Sequence, residues 1–529
     1  MHTHVQHASV FILTPSFSSP FAPPLRRTAL ALLLAGCFGA AQANPALPQV
    51  VNGQATFNQQ GNVFSITNTP NTIINWQSFS IHAGEITRFI QQNGNSAVLN
   101  RITGQDPSKI LGGLESNGKV FLINPNGIVF GQGATVNVNG LVASSLGLSN
   151  EDFLAGKRQF TAGSVAGSVG NAGTINGGKG GQVLLIAPNV ENTGIITAPN
   201  GEVILAAGRS VQLADPGNPQ LRVLVSAPAD QALNLGLNAN SAVVGEHGRI
   251  VLKASGKALL EGGSATSATG AAGKGGEIQV LGEQVGLLGN ARIDASGATG
   301  GGTVLLGGDY QGKNAAVQNA RQVLIGKDAT VAADATGNGN GGKVIAWGNE
   351  SAQVHGSISA RGGAQGGDGG FVETSGHSLA VDGIRVDTGA RRGKRGSWLL
   401  DPYDIDVVQG GGGSLGDVDE FAEGPPSSST SIGADVISNA NSNVTLQAQH
   451  RINFSSAVNM LNPGIGLSAT AGETINVYAA ISTNGGNVTL SANDASSGGA
   501  YGPGANVHLN APITTNGGNV SLSGASVAG

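Results

Sequence analysis

The sequence predicts an all-β chain, a right-handed single-stranded parallel β-helix, and three observations carry that reading. The first is composition: 529 residues include 86 Gly, with 40% hydrophobic, 11% charged and 4% aromatic residues. That apolar share is enough for a core, whereas an average domain carries about 25% charge. The second is the placement of Gly, which lacks the every-third-residue period of collagen and separates Val, Ile and Leu runs of strand length. The third is repetition. Ile175 to Ile186 is echoed by Ile195 to Ala206 at a displacement of 20 residues, and Ile481 to Val488 recurs as Ile513 to Val520, 32 residues on. A Gly-Gly-x-(Val/Ile) signal places Ile278, Val304, Val344 and Val372 at steps of 26, 40 and 28, one or two coils per step.

Each repeat is a short strand, a Gly or Asn turn and another short strand, and none can bury its apolar face alone. Stacking coils at the strand spacing of about 4.8 Å pairs every strand above and below and sets like residues in interior ladders. Coils of 20 to 30 residues imply on the order of 20 coils, a rod of about 100 Å. Gly and Asn at the corners are expected because they tolerate positive φ.

The elements follow in order. Residues 1–43 read as a signal peptide with an N-terminal extension: Arg26 and Arg27 precede an apolar run, and Ala41-Gln42-Ala43 offers cleavage between Ala43 and Asn44. Such a segment hands the chain to the Sec translocon. A competing processing box, Leu34-Ala35-Gly36-Cys37, would instead lipidate Cys37; residues 1–17 carry no fold information. The apolar run is too short to span a membrane. With cleavage after Ala43 the mature chain has no cysteine and 25 basic against 32 acidic residues. A cysteine-free chain suits export in an unfolded state, and the acidic balance argues against nucleic acid as a partner. Residues 44–225 form a first region, 226–390 are β-helix repeats, 391–440 are an irregular boundary or excursion, and 441–529 are further repeats. The excursion holds the basic run Arg391-Arg392-Gly393-Lys394-Arg395, Trp398-Leu399-Leu400-Asp401-Pro402 and Pro425-Pro426. The sequence stops in a coil-like stretch without a cap, which suggests a piece of a longer exoprotein.

The first region carries Asn75-Trp76-Gln77-Ser78-Phe79, then Val98-Leu99-Asn100-Arg101-Ile102-Thr103-Gly104, then Val120 to Gly131 around Asn124-Pro125-Asn126-Gly127. Together these resemble the filamentous haemagglutinin-type secretion domain of two-partner secretion. Gly369 to His377 and Trp398 to Pro402 resemble the high-molecular-weight adhesin branch; the haemagglutinin branch's second N-P-N-L box is missing. The resemblance implies recognition by periplasmic modules of a partner outer-membrane barrel, secretion to the bacterial surface and an adhesin-like shaft facing an unknown host or cell-surface receptor. It also implies that Asn100, Arg101, Asn124, Pro125, Asn126 and Gly127 are needed for export. From the residues alone, Pro125 fixes φ and Asn126-Gly127 suit the next turn positions, so a tight turn is expected between strands Val120–Ile123 and Ile128–Phe130. Two roles stay open for the box, a folding element or a direct contact with the transporter.

Other functions were weighed on their residues. A β-helix polysaccharide lyase or hydrolase needs carboxylates converging from adjacent coils, and the candidates are Asp401, Asp404, Asp406, Asp417 and Asp419, with no histidine near them in sequence. A solvated acidic loop is the favoured account of them, and calcium ligation lacks a recognised spacing. The histidines at 82, 247, 355, 377, 450 and 508 are dispersed, so no metal site, cofactor or enzymatic activity is expected. Shafts of contact-dependent toxins, haemolysins and haem-acquisition exoproteins share such an N-terminus and are the alternatives to an adhesin. The basic run at 391–395 reads as an exposed charged loop, with proteolytic processing as the competing view. Sequons at Asn443, Asn453, Asn487 and Asn519 are candidate glycosylation sites, although Asn at a turn before a strand is ordinary β-helix composition.

Overall fold

The computed structural model describes residues 45–213, 223–227, 234–238, 241–410, 421, 430–497 and 504–528. The expected cleavage point at Ala43 and Asn44, Cys37, and the acids Asp417 and Asp419 lie outside the described residues.

From Thr72 onward the chain winds as a parallel β-helix. Among the described residues, sixteen strands from Thr72–Ser78 to Val520–Ser523 follow one another in parallel register and make one ladder. A second parallel ladder includes Thr174–Gly177, Ile195–Thr197, Ala265–Ser267, Arg292–Asp294 and Arg385–Asp387. A third includes Ser108–Ile110, Ile128–Phe130, Val169–Asn171 and Gln284–Leu287. The repeats in the sequence are the register itself. Val183 pairs with Val203, Ile481 with Ile513, and Ile278, Val304, Val344 and Val372 are successive partners. Each step is therefore one coil. The 40-residue step is one coil carrying an insertion between Leu306 and Ala320, and such insertions keep the coil number below the expected 20.

Alternation decides which side is buried. Val183, Leu185, Val203, Leu205, Ile250, Leu252, Ile278, Val280, Val304 and Leu306 are fully buried in one continuous interior, and each such side chain contributes about 1.5–3 kcal/mol relative to exposure. At the end nearest Asn44 the stack is closed by antiparallel strands. Ala46–Asn52 runs against Thr72–Ser78, and Ala55–Gln60 runs against Val63–Asn68. Phe57, Phe64, Trp76, Phe79 and Phe89 pack edge-to-face or stacked across that end, with centroids 5.5–6.4 Å apart.

Outside the first ladder, an antiparallel sheet of Arg158–Thr161, Ser210–Leu213 and Val223–Ser226 makes a second core. Ile73, Leu99, Phe121, Ile123, Leu184, Ile186 and Ile204 point outward into it and meet Phe153, Phe160 and Val211. Among the described residues helix is confined to short pieces, the α-helices Asn150–Leu154 and Ala434–Ser438 and the 3-10 turns Tyr310–Gly312 and Ala495–Ser497. In the irregular region, Ser397–Asp401 keeps its place in the first ladder. Ile405–Val408 pairs on one side with Ile452–Phe454 and on the other with Thr430–Gly433, so the chain returns to add an edge strand to a separate parallel sheet that continues through Ile475–Val477 and Val507–Leu509.

The corner glycines have two causes, the expected positive φ and close approach between coils. Positive φ does hold at Gly127, Gly180 and Gly367, but the Gly-Gly pairs that precede the ladder valines are absent from the positive-φ residues. Their requirement is space: a Cβ on Gly275 would lie 1.8 Å from the Ala295 carbonyl oxygen, on Gly301 1.9 Å from that of Ala333, and on Gly369 1.8 Å from that of Thr388. Gly275→Ala should therefore force neighbouring coils apart and cost about 3 kcal/mol or more. Gly170→Ala, whose Cβ meets nothing within 4 Å, should change the denaturation midpoint little; equal loss in both variants, measured in urea, would remove close approach as the reason for the motif.

Candidate functional site

The two boxes read as export elements lie on adjacent coils; Asn100 and Asn124 are buried in the stack, whereas Arg101 faces outward. Asn100 sits in strand Ala97–Ile102 and is fully buried. Its Oδ1 accepts from Trp76 Nε1 at 3.0 Å, and its Nδ2 donates to the Phe121 carbonyl at 3.2 Å. It thus satisfies the indole on the coil below and a strand carbonyl on the coil above. The same device recurs far along the chain, where buried Trp398 donates from Nε1 to Thr374 Oγ1 at 3.0 Å. A buried Trp N–H without an acceptor costs about 1–3 kcal/mol, and Asn100 and Thr374 supply the acceptors for Trp76 and Trp398.

Arg101 points outward, donating to the Leu148 carbonyl at 2.8 Å and to Asn75 Oδ1 at 3.5 Å. Burial holds its guanidinium below the ordinary arginine range, and the charge of Glu151 works in the opposite direction. It ties the loop ahead of helix Asn150–Leu154 to the ladder.

The second box is a turn, as expected. The Gly127 N–H donates to the Asn124 carbonyl at 3.0 Å, with Gly127 at φ +106. Asn124 is fully buried. Its Oδ1 accepts from the Asn126 N–H at 3.0 Å, and its Nδ2 donates to the Asp106 carbonyl and Ser108 Oγ, both at 3.0 Å. Asn126 Nδ2 donates to the Gly104 carbonyl at 2.9 Å. On the other side, the Pro125 carbonyl accepts from the Gly167 N–H at 2.7 Å, and a Cβ on Gly127 would come 2.8 Å from the Ser168 carbonyl oxygen. The turn is held between the preceding coil at 104–108 and the following coil at 167–168. Such a turn fixes register.

A family model described as the TPS secretion domain matches residues 41–280. The crystal structure of the HMW1 secretion domain from Haemophilus influenzae is 34% identical with a TM-score of 0.57, covering 68% of this chain and all of that one. The chain belongs to the two-partner-secretion exoproteins. Similar proteins include two heme/hemopexin-binding proteins of Haemophilus influenzae. The one from strain Rd is 40% identical over 173 residues, and the other 36% identical over 136 residues. These matches take in 31% and 25% of this chain but 19% and 15% of the relatives, so the chain spans about a fifth of their length or less. Members of this family are secreted across the outer membrane, and the secretion domain implies recognition by an outer-membrane transporter of the TpsB type.

Of the candidate acids, the described ones lie on different stretches: Asp401 closes a first-ladder strand, while Asp404 and Asp406 belong to the run through Ile405–Val408. Asp406 Oδ1 accepts from Asn453 Nδ2 at 2.7 Å. One expectation needs correction: a histidine does lie near them, because the stack places His450 Nδ1 3.0 Å from Asp404 Oδ1 and Nε2 2.8 Å from Glu473 Oε2. Sequence separation concealed it. Among the described residues no group of three or more His, Cys, Asp or Glu could hold a metal.

At the sequons, Asn443 accepts from the Gly466 N–H at 3.0 Å, Asn453 from Asn476 Nδ2 at 2.8 Å and Asn487 from the Asn519 N–H at 2.9 Å, so all three serve the stack, while Asn487 and Asn519 are exposed. Exposed Asn349 in Asn349-Glu350-Ser351 is a further sequon, and its Oδ1 accepts from Trp347 Nε1 at 2.8 Å.

Asn124→Ala removes four side-chain bonds that organise two coils and leaves Ser108 and the Asp106 carbonyl without their donor; it should cost about 3 kcal/mol. Arg101→Ala, partly exposed, should cost about 1 kcal/mol. Denaturant unfolding of the 45–280 segment checks the order, and a larger loss at Arg101 would contradict it.

Proposed function

We propose that the Asn100-Arg101 and Asn124 to Gly127 boxes serve export by organising the first coils, and that these coils template the folding of the shaft outside the cell. The single observation that carries this reading is Asn124: its side chain is fully buried and spends its hydrogen bonds on the turn and on the coil at 104–108. A group so enclosed offers little to a transporter in the folded state. The motif sequence G-x-x-x-x-G-K-(Ser/Thr) of a nucleotide-binding loop does not occur in the chain. Coil-by-coil folding on a formed first coil supplies a bias against back-sliding instead, because each coil rests on contacts with its sequence neighbours.

Beyond export, the reading is a surface shaft without enzymatic chemistry that displays a distal binding region. The segments Gly369 to His377 and Trp398 to Pro402 support an adhesin-like exoprotein. The curated relatives named heme/hemopexin-binding proteins support a second reading, capture of haem or its carrier. Binding of the full-length secreted protein to hemopexin, set against binding to intact host cells, separates the two.

For the export role, Asn124→Ala with Asn126→Ala should leave precursor or degraded protein in the periplasm and cut surface display at least tenfold in cells carrying the partner barrel. Glu115→Gln, a half-buried position nearby that only loosens the ion pair with Arg88, should not. Full display of the double mutant would overturn the role given to the turn.

A further inference from the structure

Residues 307–319 are the insertion in the 40-residue coil, and they do not hang free. Asp309 Oδ1 accepts from the Tyr310 N–H at 2.8 Å and pairs with Lys343 Nζ at 2.7 Å; Asp309 Oδ2 accepts from Asn314 Nδ2 at 2.8 Å, and Asn319 Nδ2 closes onto the Gly312 carbonyl at 2.8 Å. Gly308 and Gly312 lie against Trp347, where an added Cβ would come within 2.8 and 2.6 Å of the ring, and Tyr310 packs edge-on against Phe371 at 5.8 Å.

The tip reaches further. Gln311 is held at φ +52, a left-handed conformation that costs a non-glycine residue energy and persists only where surroundings fix it. Its N–H donates to both Glu373 oxygens, at 3.1 and 3.3 Å. Its Nε2 donates to Asp401 Oδ2 and Gln447 Oε1, each at 3.2 Å, and Lys313 Nζ donates to Gln311 Oε1 at 2.7 Å. Gln447 Nε2 continues to the Ser496 carbonyl at 2.8 Å. By register, Lys343, Glu373, Asp401 and Gln447 stand on four successive coils beyond the one that carries the insertion.

We propose that residues 307–319 are a strap that locks four later coils together from outside and is released as pH rises. The geometry sets its timing. The tip's partners lie as far as 136 residues along the chain, so the strap closes only after the coil of Asn443–Ala448 has stacked, a long-range check in an otherwise local fold. The pH dependence follows from what the strap covers. Glu373 occupies an outward position yet is fully buried. Burial pushes its carboxyl up to about 8 against the opposing Gln311 N–H bond, and burial pushes Asp401 up to about 6. Both folded values lie above the ordinary carboxylate range, so the stability these groups lend is complete in acid and is lost as pH rises through about 6 and then about 8. The other charged and titratable groups facing them are Asp309, Lys343, Tyr310 and Lys313, and burial raises Tyr310 further.

Hydrogen exchange of the full chain, corrected for intrinsic rates, tests this between pH 5.5 and pH 9. The expected result is a loss of protection of about tenfold or more at residues 311, 371–376 and 397–401 across that range, while the distant strand Arg249–Ala254 changes little. Glu373→Gln should flatten the response. Gln311→Gly keeps the N–H on Glu373, relieves the strained φ and removes the side-chain arm, so it should lower protection of 443–448 while 371–376 holds. An unaltered pH response in Glu373→Gln, or unchanged protection of 443–448 in Gln311→Gly, would overturn the strap. Should Glu373→Gln fail to fold, the Gln311→Gly comparison decides alone.

Discussion

Every feature of this chain follows from one constraint, the in-register parallel stacking of coils. Once strands sit about 4.8 Å apart in a ladder, each side chain has a fixed neighbour above and below. Apolar neighbours then form continuous interior rows, as from Ile278 through Val304 and Val344 to Val372. Charged neighbours must alternate, and Arg249 stands between Glu202 and Glu277, 3.3 Å from one and 3.7 Å from the other. Buried polar groups must find partners on an adjacent coil, and Asn100, Asn124 and Thr374 do so.

The repeats made the ladders legible because a displacement that preserves residue type in the sequence is the register in space. The Asn124 to Gly127 turn was legible for a local reason, since Pro, Asn and Gly each constrain one turn position. Three things were not. Close approach at the glycine pairs was hidden, because a corner glycine suggests positive φ, as Gly127 and Gly180 adopt, whereas at Gly275 and Gly369 the missing Cβ is what matters. The antiparallel cover on the first ladder was hidden because strand Arg158–Thr161 finds its partner at 210–213, a non-local antiparallel pairing that no period announces. The His450 neighbour of Asp404 and the reach of Gln311 to Gln447 were hidden likewise, since a coil with an insertion breaks the spacing that would reveal them.

The buried boxes also recast why motif residues in such a chain are polar. Apolar substitutes would suit a core, but a core made only of Val, Ile and Leu ladders permits slippage by a whole coil, because every rung resembles the next. Trp76 with Asn100, and Trp398 with Thr374, are rungs that fit in one place, since the indole N–H needs an acceptor at one height. Each of these pairs joins one coil to the next at a fixed height.

Under the proposed folding outside the cell, local contacts and long-range contacts divide the work. Each coil leans on its predecessor, so the chain can fold in the order in which it emerges, and its only cysteine, Cys37, lies in the expected signal, so no disulfide within the mature chain would close a loop that cannot pass a pore. Purely local stability has a weakness, because a solenoid can also fray coil by coil from an open end. Contacts that skip several coils counter this: the antiparallel cover does so over the first part, and the tip at Gln311 does so between Glu373 and Gln447. These contacts form only when the later coil arrives, so they leave early folding unhindered and oppose unravelling afterwards, and the weight of stability shifts from the transition state to the finished shaft.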